Sequence, residues 1–250
     1  MAANRQKTLT TQDMKKHLLL ILLTIAGMLP AMAQVQFGTN QYAVRLNIGY
    51  NHNTTYGSYA GVDFGAFMPI NQHFEMQADL RFTTANNHAI GVQMRPKFAV
   101  PVGEFFLEGR LLSGLYPKDG FNELVQAIAV GYRMEYVSFQ VGMSTRLIMN
   151  YPYNWHDNSN IIVEPFNICY KLEVFVRPQA SPWNISLCAS NMTDYQIERV
   201  WQPMFMANGR YNINEHWQVN LSALCKPTGM FHLNAKYYGA EVRAGFAYSF

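Results

Sequence analysis

The last twelve residues, 239–250 (GAEVRAGFAYSF), alternate in polarity and stop on an aromatic residue. Successive side chains of a strand point to opposite faces, so Ala240, Val242, Ala244, Phe246, Tyr248 and Phe250 share one face. Glu241, Arg243, Gly245 and Ser249 take the other. In water such a strand would present an uncovered apolar edge that invites aggregation. In a closed sheet it pairs on both sides and can turn its apolar face to lipid, where all backbone polar groups must be satisfied internally.

The same grammar recurs upstream. Segments of about ten residues alternate in polarity between turn residues, the pattern of membrane-crossing strands. Twelve strands are expected, near residues 42–50, 60–68, 74–82, 90–100, 105–112, 124–134, 137–147, 162–176, 183–189, 199–211, 217–225 and 233–250, with ten as the alternative count. The clearest is 74–82, where Phe74, Met76, Ala78, Leu80 and Phe82 oppose Glu75, Gln77, Asp79 and Arg81. A soluble sandwich would bury the apolar face, whereas a transmembrane barrel turns it outward and the charged face inward. Periodicity alone does not separate the two.

The amino-terminal residues decide in favour of export. Met14, Lys15, Lys16 and His17 make a cationic start, residues 18–29 carry no charge, and Ala31-Met32-Ala33 is a small-x-small cleavage site before Gln34. The apolar run falls short of the roughly 20 residues that span a bilayer. Residues 1–33 are thus read as a short extension, with Met14 the better start, and a cleaved secretory signal peptide. Residues 34–250 are read as one barrel domain, and the absence of a Cys after the cleavage site argues against a lipid anchor. Removing 1–33 takes away Arg5, Lys7, Lys15, Lys16 and Asp13, leaving 15 basic and 15 acidic residues. Nucleic-acid binding then has no electrostatic motive.

With its export signal, strand grammar and closing strand, the chain resembles the Gram-negative outer-membrane β-barrel proteins. That resemblance implies an all-β, antiparallel up-and-down transmembrane barrel in the cell outer membrane, in contact with outer-membrane lipid. It also implies recognition by the barrel-assembly machinery through Val242, Phe246, Tyr248 and Phe250. No cofactor or metal is expected.

If both ends of the barrel domain lie in the periplasm, the even connections at 69–72, 101–103, 135–136, 177–182 and 212–215 are short periplasmic turns. Two share a pattern, Ile70-Asn-Gln-His-Phe74 and Ile213-Asn-Glu-His-Trp217, read as a common turn in which Asn adopts a left-handed backbone rather than as metal binding by His73 and His216. The odd connections at 51–58, 84–89, 116–121, 150–160, 191–197 and 226–232 are expected to face outward. The longest carries Tyr151, Tyr153, Trp155 and His156 as candidates for partner or glycan contact.

Parity along the strands assigns to the lumen Arg45, Asp63, Glu75, Asp79, Arg81, Arg95, Lys97, Glu108, Arg110, Arg133, Arg146, Lys171, Glu173, Arg210, Glu241 and Arg243. Mixed signs favour a cross-barrel polar network, because an unpartnered buried charge is costly. They also suit a narrow wet passage for a small polar solute, with a mild anion preference from the excess of basic members. Both readings, plugged and conducting, stay open at this level.

The expected function is therefore non-enzymatic: a narrow pore, or a structural or binding component of the envelope. The alternative is a lipid-modifying hydrolase, acyltransferase or protease built on the rim histidines His52, His88, His156 and His232. His52 with Ser58, or His156 and Asp157 with Ser159, are the acid–base pairs that such chemistry would use, although no motif of the known barrel-enzyme families is matched residue by residue. Cys169 and Cys188 flank one expected hairpin, either as a cross-strand disulfide or as two small buried thiols, and Cys225 is expected to face lipid.

Overall fold

The computed structural model describes residues 41–150, 161–178, 181–228 and 236–250, which form a closed antiparallel barrel of twelve strands. In chain order these are β1 (Ala43–Asn53), β2 (Gly57–Asn71), β3 (Phe74–Thr83), β4 (His88–Val100), β5 (Gly103–Tyr116) and β6 (Phe121–Arg133). They continue as β7 (Val137–Asn150), β8 (Ile161–Phe175), β9 (Trp183–Ser190), β10 (Met204–Asn212), β11 (Trp217–Thr228) and β12 (Lys236–Ser249). Each strand pairs with its neighbours in sequence, and β1 closes on β12 from Ala43 opposite Ser249 to Asn53 opposite Gly239. Closure leaves no free edge along either of these strands, as lipid requires.

The barrel is inside out relative to a water-soluble protein. Ile128 and Val130 on β6 are 51 % and 55 % exposed, whereas Asp79 on β3 and Glu108 on β5 are 0 % exposed. Val242, Phe246 and Phe250 lie on the same outward face, with Tyr248 half-buried between Trp217 and Phe250. Ring pairs such as Phe105–Tyr132 and Tyr132–Phe139 at one mouth and Phe82–His88 at the other mark the levels where aromatic side chains anchor at a membrane interface.

Local chemistry explains where the ladder bends. Three register shifts fall beside Pro69, Pro165 and Pro227, because proline has no N–H to give to a ladder and is accommodated at bulges. The repeated Asn turns work through the side chain rather than through left-handed backbone. The Asn71 carboxamide oxygen accepts from the His73 N–H, and that of Asn214 accepts from the N–H groups of His216 and Trp217. The one non-glycine residue with positive φ among the described residues is Asn86, in the β3–β4 turn.

Two expectations need correction. The tenth strand begins at Met204, not at residue 199, and the connection expected at the outer rim, 191–197, does not stay there. It turns into the barrel, where Met192 and Ile197 are 1 % exposed. The strand-only reading failed because alternation continues through a segment that packs on the inner wall instead of in the sheet. The signal residues Ala31, Ala33 and Gln34, the loop residues Tyr151, Tyr153, Trp155 and His156, and the start of the expected closing strand at 233–235 lie outside the described residues.

A charge placed on the outer face should be penalised by depth. Ile128→Arg, midway along β6, is expected to cost about 2–4 kcal/mol, and Ile70→Arg, at the end of β2, roughly 0–1 kcal/mol. Reversible urea unfolding in lipid vesicles would measure both, and equal costs would contradict a lipid-facing belt.

Candidate functional site: a charged lumen crossed by an inward segment

Inward-facing residues on adjacent strands meet as oppositely charged partners. On β2, β3, β12 and β1, Arg81 lies 2.8 Å from Asp63 and 2.6 Å from Glu241, Arg243 lies 3.3 Å from Asp63 and also contacts Glu241, and Arg45 lies 2.8 Å from Asp79. On β3 to β5, Arg95 bridges Glu75 at 2.6 Å and Glu108 at 2.5 Å, Lys97 lies 3.0 Å from Glu75, and Arg110 also contacts Glu108. Lys171 lies 2.9 Å from Glu173 on β8, and Arg133 lies 3.6 Å from Glu104. Arg146 reaches Glu123 at 3.5 Å and Glu164 at 3.8 Å, while Arg210 lines the cavity described below. Removing one partner of such a buried pair would strand the other, so these contacts hold the wall as units.

The inward segment, residues 191–203, begins where β9 stops. Strand β9 has eight residues against fifteen in β8, so the upper part of β8 has no strand partner on that side. Side chains replace the missing ladder. Asn191 accepts from the Tyr170 N–H through its carboxamide oxygen and donates to the Ile168 carbonyl through its amide nitrogen. Asn167 likewise accepts from the Val200 N–H and donates to the Glu198 carbonyl. A buried backbone group without a partner costs about as much as a lost hydrogen bond, which these two asparagines avoid.

Apolar packing and charge then fix the segment. Met192 and Ile197 pack with Leu112, Val125, Ala129 and Cys169 from β5, β6 and β8 into a small hydrophobic cluster inside the barrel. Asp194 and Tyr195 reach across to the far wall, where Asp194 lies 3.2 Å from the Arg45 guanidinium and accepts from Gln93 at 3.3 Å. The Tyr195 ring packs under the guanidinium groups of Arg81 at 4.4 Å and Arg243 at 5.4 Å, a cation–π arrangement. Arg110 donates to the Thr193 carbonyl at 2.8 Å, and Arg146 donates to that of Ile197. Gly91 permits this approach, because a Cβ there would overlap the Asp194 carbonyl oxygen.

The segment separates two cavities. Toward the mouth with the short turns, one of about 330 Å³ is lined by seven Arg and Lys side chains against three carboxylates, with Asn and Gln from most of the surrounding strands. Toward the opposite mouth, one of about 340 Å³ is lined by Tyr56, Tyr59, Tyr116, Phe121 and Tyr238 together with residues of both charges. Asp194, Tyr195 and Glu198 are the inner residues that strand parity could not supply, since they belong to no strand. Glu123 and Lys226 share the inward parity of their strands and were legible there, whereas Glu164 is turned inward only by the register shift beside Pro165.

The remaining candidates are placed simply. Among the described residues Cys169, Cys188 and Cys225 are free thiols; Glu173 rather than Cys169 stands opposite Cys188, and Cys225 is exposed. A ring nitrogen of His52 meets the Tyr237 hydroxyl at 2.9 Å, and one of His88 meets the Asn86 side chain at 3.3 Å. His156, Asp157, Ser159 and His232 lie outside the described residues.

Fold and surface together define a transmembrane β-barrel of the outer-membrane class. Among solved structures, the chain is similar to the translocator domain of autotransporter NalP from Neisseria meningitidis, at 11 % identity and a TM-score of 0.55, covering 96 % of both chains. It is also similar to two porins at 8 % identity and a TM-score of 0.52, covering 83 % of this chain: KdgM, in complex with disordered oligogalacturonate, over 99 % of its length, and NanC over 100 %. At such identities the likeness is one of fold. No protein-family model matches the sequence. No curated protein matches it either.

Gly91→Val should displace the inward segment while sparing the barrel. Hydrogen–deuterium exchange is expected to show loss of amide protection across residues 191–203 with strand amides unchanged; unchanged protection in the segment would show that Gly91 is not what admits it.

Proposed function

We propose that the protein is a narrow, anion-preferring channel for small polar solutes in the cell outer membrane, constricted by residues 191–203. The observation that carries the reading is the cavity on the short-turn side of the segment, whose seven cationic side chains outnumber its three carboxylates. Charge of one sign on a low-dielectric wall concentrates the opposite ion and biases permeation. Two of the barrels similar in fold are porins, which supports a conducting role for this architecture. A second reading, a sealed barrel serving envelope structure or partner binding, draws on the way the segment reaches from the β5–β8 wall to Arg45, Arg81 and Arg243.

Planar-bilayer recording of refolded protein distinguishes them. Discrete steps with a reversal potential on the anion side under a KCl gradient are expected, moving toward the cation side in the double variant Arg133→Gln, Lys171→Gln. A folded barrel that inserts and stays silent would refute the channel and favour the sealed reading.

A further inference from the structure

The two cavities approach each other along one stretch of wall. Among the described residues, Leu224 on β11 and Glu241 on β12 are the two that line both of them. The ladder sets this pair directly opposite each other. Residues so placed hold their side chains about 5 Å apart, so the pair acts as one feature of the wall.

Its two members differ in chemistry. Glu241 belongs to a balanced quartet: Arg81 lies 2.8 Å from Asp63 and 2.6 Å from Glu241, and Arg243 lies 3.3 Å from Asp63 and also contacts Glu241. Two guanidinium groups against two carboxylates carry no net charge, and the Tyr195 ring of the inward segment packs on both guanidinium groups. Leu224 has no such setting. The inward row of β11 runs Gln218, Asn220, Ser222, Leu224 and Lys226, and Leu224 is its one apolar member. It does not belong to the hydrophobic cluster that anchors the segment, so that packing does not account for an apolar side chain at this position.

We propose that Leu224 is the size-selecting gate between the two vestibules, with the quartet of Asp63, Arg81, Glu241 and Arg243 as its rigid charged flank. An apolar side chain at a narrowing disfavours water there and raises the barrier to a hydrated ion. The balanced quartet adds no preference of sign, whereas the vestibule on the short-turn side does, through its seven cations against three carboxylates. Size is selected at Leu224 and charge in that vestibule. The inference deepens the channel reading, on which it rests, by placing the barrier and separating it from the charge filter.

The test is planar-bilayer recording of the refolded barrel, with neutral polyethylene glycols of graded size to gauge the narrowing. Leu224→Ser is expected to raise single-channel conductance severalfold and to admit larger polymers, with the reversal potential under a KCl gradient unchanged. Leu224→Trp should abolish the steps. Cys225→Leu, one residue along and facing outward, should conduct as the parent does. Heat-dependent gel mobility establishes that each variant is folded. Parental conductance and polymer cutoff in both Leu224 variants would overturn the gate and leave the channel standing. A reversal potential that moves with Leu224→Ser as far as with the double variant Arg133→Gln, Lys171→Gln would overturn the separation of size from charge. A parent that is silent while Leu224→Ser conducts would uphold the gate and replace the open channel by a closed one, and silence in every folded variant would overturn gate and channel together.

Discussion

The structure depends on one constraint: in lipid, a backbone N–H or C=O has no water to fall back on and must find a partner within the chain. Closure of β1 on β12 meets that demand around most of the circumference. The demand also explains the irregularities. Pro69, Pro165 and Pro227 fall at register shifts, where the missing N–H is least costly, and the short end of β9 is made good by Asn191 and Asn167 acting as pieces of ladder.

That repair has a consequence for the interior. A chain that leaves the sheet beside β8 must go either to the rim or inward, and Met192 and Ile197 give it an apolar anchorage on β5, β6 and β8. Burying such side chains inside an otherwise charged lumen contributes on the order of 1.5–3 kcal/mol each. Asp194 and Tyr195 then engage cations on the opposite wall, so the segment is held at both ends of its span. The lumen becomes two vestibules of different chemistry, one cationic and rich in amides, the other aromatic and of mixed charge.

The walls differ for an electrostatic reason. Where Asp63, Asp79, Glu75 and Glu108 sit beside arginines, the charges satisfy one another and lend rigidity more than net stability, since desolvation offsets much of the attraction. On β9 to β11 the inward rows carry mainly amides and hydroxyls, and these too bond to the wall: Ser186 donates to Glu173 at 2.6 Å and Asn184 to the Arg177 and Pro178 carbonyls.

Strict alternation, legible in residues such as Phe74 to Phe82 and Gly239 to Phe250, determined a closed antiparallel barrel with an apolar exterior, because a strand's side chains have period two and lipid forbids an open edge. The same parity could have singled out Glu123, Lys226 and the amides Asn47, Gln77 and Gln93, which face inward without forming a recognisable motif, but not Glu164, which the register shift beside Pro165 turns inward. What the sequence could not determine was the path of residues 191–203. Their alternation reads equally well as rim loop, strand start or inner packing, and Met192, Asp194 and Tyr195 acquire meaning only from walls supplied by strands as far as 149 residues away in sequence. Tertiary structure alone decided this, because whether a segment enters a lumen depends on the room left by Gly91, the apolar pocket at Leu112 and Val125, and cations waiting on the opposite wall.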